Sequence, residues 1–254
     1  MTFNQYGKGK NKVDQMKRYL LVIAMVVAVA GTLMASTVTY DTTYAWDGSS
    51  TIQPFGVPNT TTYGQTFFAP TGSNVDMNNF TFYLQGQPGT HLDIEAQIYA
   101  WSGSMTGGNP PQGAVGPALF DLPSLNFDGT GAFQAVTINT GNLSLIPGAA
   151  YIALFTVSNS PNYANSNGTV AFGDLLFQHV AGNGGGGFNF YNNGNCYSCI
   201  NTTPWDDFAD FGDLAWTANF TVGQGSVPEP ASLLLLGSGL LGLGRLVRKS
   251  SKKA

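Results

Sequence analysis

Apolar and polar residues alternate through the middle of this chain, and the period is two rather than 3.6. From His91 to Trp101, the residues Leu92, Ile94, Ala96, Ile98 and Ala100 point one way. His91, Asp93, Glu95, Gln97, Tyr99 and Trp101 point the other. Leu214, Trp216, Ala218, Phe220 and Val222 alternate in the same manner, and Phe80, Phe82 and Leu84 form a third inward set. Tyr151 to Val157 is an apolar run after the turn Pro147-Gly148, as a central strand covered on both faces requires. Further strands are predicted over Gly64 to Ala69, Ala118 to Leu122, Phe133 to Ile138, Thr169 to Phe177 and Phe188 to Tyr191. Roughly eight or nine short strands between Gly, Pro and Asn turns predict an all-β domain, a jelly-roll-like β-sandwich.

The two ends read differently. Lys17-Arg18, the apolar run Tyr19 to Ala30 and a small-residue stretch have the three regions of a secretory signal peptide. Cleavage fits after Ala30 or after Ala35, with an uncleaved signal anchor as the alternative. The basic stretch before Lys17 is long, so either Met1 or Met16 can be the start. At the other end Val227-Pro228-Glu229-Pro230 precedes an uncharged run from Ala231 to Gly244, then Arg245, Arg248, Lys249, Lys252 and Lys253. Two prolines set an extended elbow from which a helix can start. Ala231 to Val247 would span about 25 Å as a helix, a short membrane crossing that snorkelling by Arg245 and local thinning accommodate. Gly237 and Gly244 belong to its small-residue face. The basic flanks place both ends on the cytoplasmic side and everything between them outside. This divides the chain into a signal peptide with a basic region (1–35), an extracellular β-sandwich domain (36–224) and a sorting and anchor tail (225–254).

The Pro-Glu-Pro run, the short Leu- and Gly-rich helix and the terminal Arg/Lys cluster together resemble the PEP-CTERM sorting signal of exopolysaccharide-producing Gram-negative bacteria. Related tails also bear an ice-binding protein C-terminal domain label. The resemblance implies Sec export, processing by an exosortase-like enzyme near Pro228-Glu229-Pro230, a membrane intermediate, and delivery to the cell surface or extracellular matrix. The middle resembles jelly-roll domains found ahead of such tails, with Tyr63-Gly64-Gln65-Thr66-Phe67 opening and Leu214-Ala215-Trp216 closing.

Charge narrows the choice of partners. No Lys or Arg occurs from Tyr19 to Gly244, while Ser36 to Val227 holds eleven Asp and one Glu, a net charge of -12. Nucleic acid is excluded, since its affinity comes largely from Lys and Arg neutralising phosphates. Cations and neutral polysaccharide are compatible.

Candidate chemistry is sparse. Cys196 and Cys199 lie in a Gly- and Asn-rich loop of an exported chain and read as a local disulfide worth about 2 kcal/mol. Asp93 and Glu95 share one strand face with Cα atoms about 6.5 to 7 Å apart. With Tyr99 and Trp101 they form a candidate ligand face, a platform for carbohydrate or a glycan-hydrolase carboxylate pair. The plainer expectation is a solvated strand face. Asp206, Asp207, Asp210 and Asp213 form the one acidic concentration suited to a structural calcium ion. No G-x-S-x-G elbow accompanies His91 or His179, and no catalytic residue or further cofactor is assigned. The sequence therefore predicts a non-enzymatic cell-surface or exopolysaccharide-matrix structural protein, with a carbohydrate-binding module as the alternative.

Overall fold

The computed structural model describes residues 35–57, 59–105, 113–158, 160–180, 185–191, 205 and 212–223. Residues 35–225 form one compact unit. Its strands are β1 (Ser36–Asp41), β2 (Thr51–Phe55), β3 (Thr60–Phe68), β4 (Val75–Gln85), β5 (His91–Ser102), β6 (Gly113–Asp128), β7 (Phe133–Leu145), β8 (Ala150–Thr156), β9 (Val170–Gly173), β10 (Gly187–Tyr191) and β11 (Trp216–Val222). Two short 3-10 turns, Thr43–Ala45 and Tyr163–Asn165, are the helical elements among the described residues. No helix among these residues is long and apolar enough to cross a membrane.

The eleven strands form one hydrogen-bonded sheet with two wings, β7-β4-β11-β1 and β10-β3-β8-β5-β6. Strands β9 and β2 join them. β9 takes the edge of β4 at Leu84 and Gln85 and also pairs with β2, which meets β3 in parallel at Phe55 and Thr60. The apolar faces of the two wings pack against each other. Phe155 on β8 sits 5.1 Å from Phe82 and 5.9 Å from Phe80 on β4, ring centre to ring centre. Phe67 on β3 meets Trp216 and Phe220 on β11 at 5.5 and 5.8 Å. The Phe82–Phe155 pair is edge-to-face, an arrangement that adds about 0.5–1.5 kcal/mol beyond the area it buries, and the other three are tilted.

The register of β4 shows how sequence irregularity is absorbed. Val75 and Met77 face the core, as do Phe80, Phe82 and Leu84, although the two sets differ in parity. The register shifts between Met77 and Asn79, and this bulge returns the later apolar residues to the inner face. β6 is far longer than its predicted core of Ala118 to Leu122, with two irregularities against β5. β1 and β2 lie outside the predicted set. The strand predicted over Thr169 to Phe177 ends at Gly173, because the Asp174 carboxylate accepts the amide of Leu176 and turns the chain. Leu176 and Phe177 then adopt φ of 43° and 63°.

Candidate functional site

β5 is buried on both faces, and this corrects the expectation of a solvated polar side. Asp93 and Glu95 are 0% exposed, and Gln97, Tyr99 and Trp101 are also buried. The cover comes from the β8–β9 connection and from Trp205. Ser166 in that connection accepts the Asp93 amide through Oγ at 2.9 Å. Trp205 packs edge-on to Trp101 at 5.5 Å. With Ala114, Ile152 and Leu154 these aromatics form a second, smaller core on the outer side of the sheet. Tyr99 and Trp101 are therefore packing residues here, and the Trp101 indole N–H donates to the Ser104 carbonyl at 2.7 Å. Neither side chain offers the open platform that sugar stacking uses.

The polar members of this face bond to one another. Gln97 Nε2 donates to Glu95 Oε1 at 2.8 Å and to Asp121 Oδ1 at 3.2 Å, so one amide joins two carboxylates. Ser124 Oγ donates to Asp93 Oδ1 at 3.1 Å. Thr62 and Thr156 share a hydroxyl bond of 2.7 Å across β3 and β8. Asp93 Oδ2 and Gln97 Oε1 are buried without a hydrogen-bond partner. A glycosidase pair needs both carboxylates in a cleft that admits a sugar ring. Asp93 and Glu95 are instead enclosed between the sheet and its covering loop.

A second acidic centre emerges where β9 meets the approach to β11. Asp174 and Leu214 form an isolated antiparallel bridge, and the Leu175 amide donates to the Asp213 carbonyl at 3.0 Å. Both Asp174 and Asp213 are 0% exposed. Asp213 Oδ1 accepts from Gln65 Nε2 at 2.7 Å, and its Oδ2 accepts from the Val180 amide at 2.6 Å. Gln65 Oε1 in turn accepts the Leu214 amide at 2.8 Å. Asp174 Oδ1 accepts from the Leu176 amide at 2.7 Å, while Oδ2 has no partner. Burial pushes the Asp174 carboxyl up to about 7, helped by the nearby Asp213 charge and opposed by the Leu176 amide. Burial likewise raises Asp213 to about 6 against the lowering effects of the Val180 amide, Gln65 and the His179 charge.

Sequence reasoning marked Asp213 but gave Asp174 and Gln65 no role. The available signal lay in the two flanking motifs. Gln65 is the polar centre of Tyr63-Gly64-Gln65-Thr66-Phe67, and its amide bonds to Asp213 and to Leu214 at the head of Leu214-Ala215-Trp216. Asp206, Asp207 and Asp210, the other proposed calcium ligands, lie outside the described residues, as do Cys196 and Cys199. The tail residues Val227, Pro228, Glu229, Pro230, Ala231, Gly237, Gly244, Arg245, Arg248 and Lys249 lie outside them too. His91 sits at the start of β5, where Nδ1 and Asp128 Oδ1 are 2.7 Å apart.

Comparison with known proteins defines the tail first. Residues 226–249 match the PEP-CTERM protein-sorting motif, and the chain carries that motif. The motif marks an exported protein that passes through the membrane to the cell surface and is processed by an exosortase-like enzyme. No curated protein matches the chain. Among solved structures it is similar to the cysteine protease and lectin-like domains of Cwp84, a surface layer associated protein of Clostridium difficile. That match has 14% identity and a TM-score of 0.40, covering 74% of this chain and 36% of the other. A second structure of the clostridial protease, after propeptide cleavage, matches at 14% identity and a TM-score of 0.39, covering 74% of this chain and 40% of the other. The chain thus spans well under half the length of the structures it matches.

Proposed function

We propose that this is a structural protein of the cell surface or exopolysaccharide matrix, exported through the Sec translocon by residues 1–35 and sorted by residues 225–254. Between them the domain 36–224 is a jelly roll. The strand orders β1-β11-β4-β7 and β10-β3-β8-β5-β6 in its two wings, with the first and last strands adjacent, support this reading. The observation that carries the reading is the sorting motif at residues 226–249. The enclosed position of Asp93 and Glu95 supports a non-enzymatic role over a glycan hydrolase. In an oxidising compartment Cys196 and Cys199 pair as a loop staple.

The test is fractionation of the native host, with mass spectrometry of the recovered chain. The expected product lies in the surface or matrix fraction, has lost the segment beyond Pro228-Glu229-Pro230, and joins Cys196 to Cys199. Exchanging Arg245, Arg248, Lys249, Lys252 and Lys253 for Gln removes the positive-inside signal and should block that delivery. A full-length chain confined to the cytosol, or unaltered delivery of the variant, overturns the sorting argument. Release of soluble sugar from matrix polysaccharide by the purified protein overturns the non-enzymatic one.

A further inference from the structure

The buried acidic pair beneath the loop after β9 has no Lys or Arg beside it, and the basic group that acts on it is His179, whose charge lowers the Asp213 carboxyl. Asp174 and Asp213 are both 0% exposed, and no Lys or Arg exists anywhere between Tyr19 and Gly244. Taking a carboxylate out of water without a compensating charge is strongly unfavourable, and a second carboxylate beside it makes the position worse. Backbone amides of Leu176 and Val180 and the Gln65 side chain serve three of the four carboxylate oxygens. The fourth, Asp174 Oδ2, is buried and has no partner. A buried oxygen of this kind, close enough to a second carboxylate to feel its charge and with no Lys or Arg in the domain to meet it, marks a place for a cation.

We propose that Asp174 and Asp213 bind a calcium ion, with Asp174 Oδ2 as the oxygen held open for it. The chemistry selects a hard divalent ion. The carboxylate pair supplies two negative charges, and no third His, Cys, Asp or Glu among the described residues joins it to make a closed zinc-type set. Calcium tolerates a coordination sphere completed by carbonyl oxygens and water. Access is short, because the loop over the pair is at the surface, with Phe177 65% exposed and Leu176 38% exposed. The site differs from the acidic concentration at Asp206, Asp207 and Asp210, sharing only Asp213 with it. Nothing in the proposal depends on how the chain is sorted.

The experiment compares the full chain, purified in mild detergent at pH 7.5, in EDTA, in millimolar calcium chloride and in sodium chloride of equal ionic strength. Calcium alone should raise Tm by about 5 °C or more at saturation. Asp174→Asn should melt at or above the wild type in EDTA, since it removes a buried charge, and should show no calcium response. A triple variant replacing Asp206, Asp207 and Asp210 with Asn should keep the response. Hydrogen exchange of the wild-type chain gives a reading independent of folding defects in any variant. Amides of Leu176 and Val180, which are bonded to the two carboxylates, should exchange several-fold more slowly when calcium is present. Absence of a calcium effect on Tm, its survival in Asp174→Asn, or unchanged exchange over residues 174–180 would each defeat the assignment.

Discussion

Asp174 carries two consequences of burial, one for ions and one for protons. In calcium-free buffer its carboxyl is raised to about 7 and that of Asp213 to about 6, whereas an unfolded Asp titrates near 3.9. The folded chain therefore binds protons that the unfolded chain releases. This contribution to stability is complete below about pH 4 and is lost as pH rises through 6 and 7. Asp47 acts in the opposite sense, because bonds from Ser50 and Ser49 hold its carboxyl well below the usual range. Its contribution disappears only in strong acid. In EDTA, Tm should climb by several degrees as pH falls from 8 to 5, and Asp174→Asn should flatten most of that slope. A wild-type Tm that falls over this interval contradicts the burial argument. Composition announced the absence of Lys and Arg, but Asp174 and Asp213 come together only through β9 and the approach to β11. A pairing between distant segments leaves no local spacing to read.

Strand β5 separates what alternation reveals from what it conceals. Alternation located the strand and its inward face, since Leu92, Ile94, Ala96 and Ile98 are all 0% exposed. It could not distinguish a polar face in water from a polar face under a loop, because Asp93, Glu95 and Gln97 have the same sequence pattern in both settings. The covering segments decide, and they are contributed by the β8–β9 connection and Trp205. Bulges hide information in a related way, and the parity change after Met77 makes β4 legible only in part. β3 offers a test at this scale. Gly64 lies between β8 and β10, and an added Cβ would come within 2.8 Å of the Ala153 carbonyl oxygen and the Ile152 Cδ1. Backbone cannot yield as a flexible side chain does, so Gly64→Ala should cost about 1–3 kcal/mol, the range for overpacking. Chemical denaturation measures it, and a loss under about 0.5 kcal/mol would mean that the close packing of β3 and β8 is not what holds this edge.

Across the molecule, of the two ends it is the C-terminal one whose sorting motif is matched, and it was legible because sorting is read linearly, from charge, apolar length and the Pro-Glu-Pro run. The domain between them was legible as a class of fold but not as a function, since its polar residues act through contacts made by folding. Its charge distribution nevertheless makes a definite physical demand. With twelve carboxylates from Ser36 to Val227 and no Lys or Arg to pair with them, stability must come from the apolar sandwich core. The basic groups left in the described domain are two histidines, of which His91 places Nδ1 2.7 Å from Asp128 Oδ1. Sodium chloride screens repulsion between exposed carboxylates within a Debye length of about 10 Å at 0.1 M. Moderate salt should therefore leave Tm unchanged or raise it slightly, and a fall would show that unrecognised attractive charges support the fold. The same absence of basic residues makes the domain inert to trypsin even when unfolded. Digestion in denaturant should leave a fragment running unbroken from Tyr19 to at least Gly244, because a protease that requires Lys or Arg finds none there. An elastase-type protease, which cuts after small apolar residues, should degrade the unfolded chain rapidly and the folded sandwich slowly, since local opening then limits access. Equal elastase rates in native buffer and in denaturant would mean that the apolar core does not hold the chain closed without ion pairs.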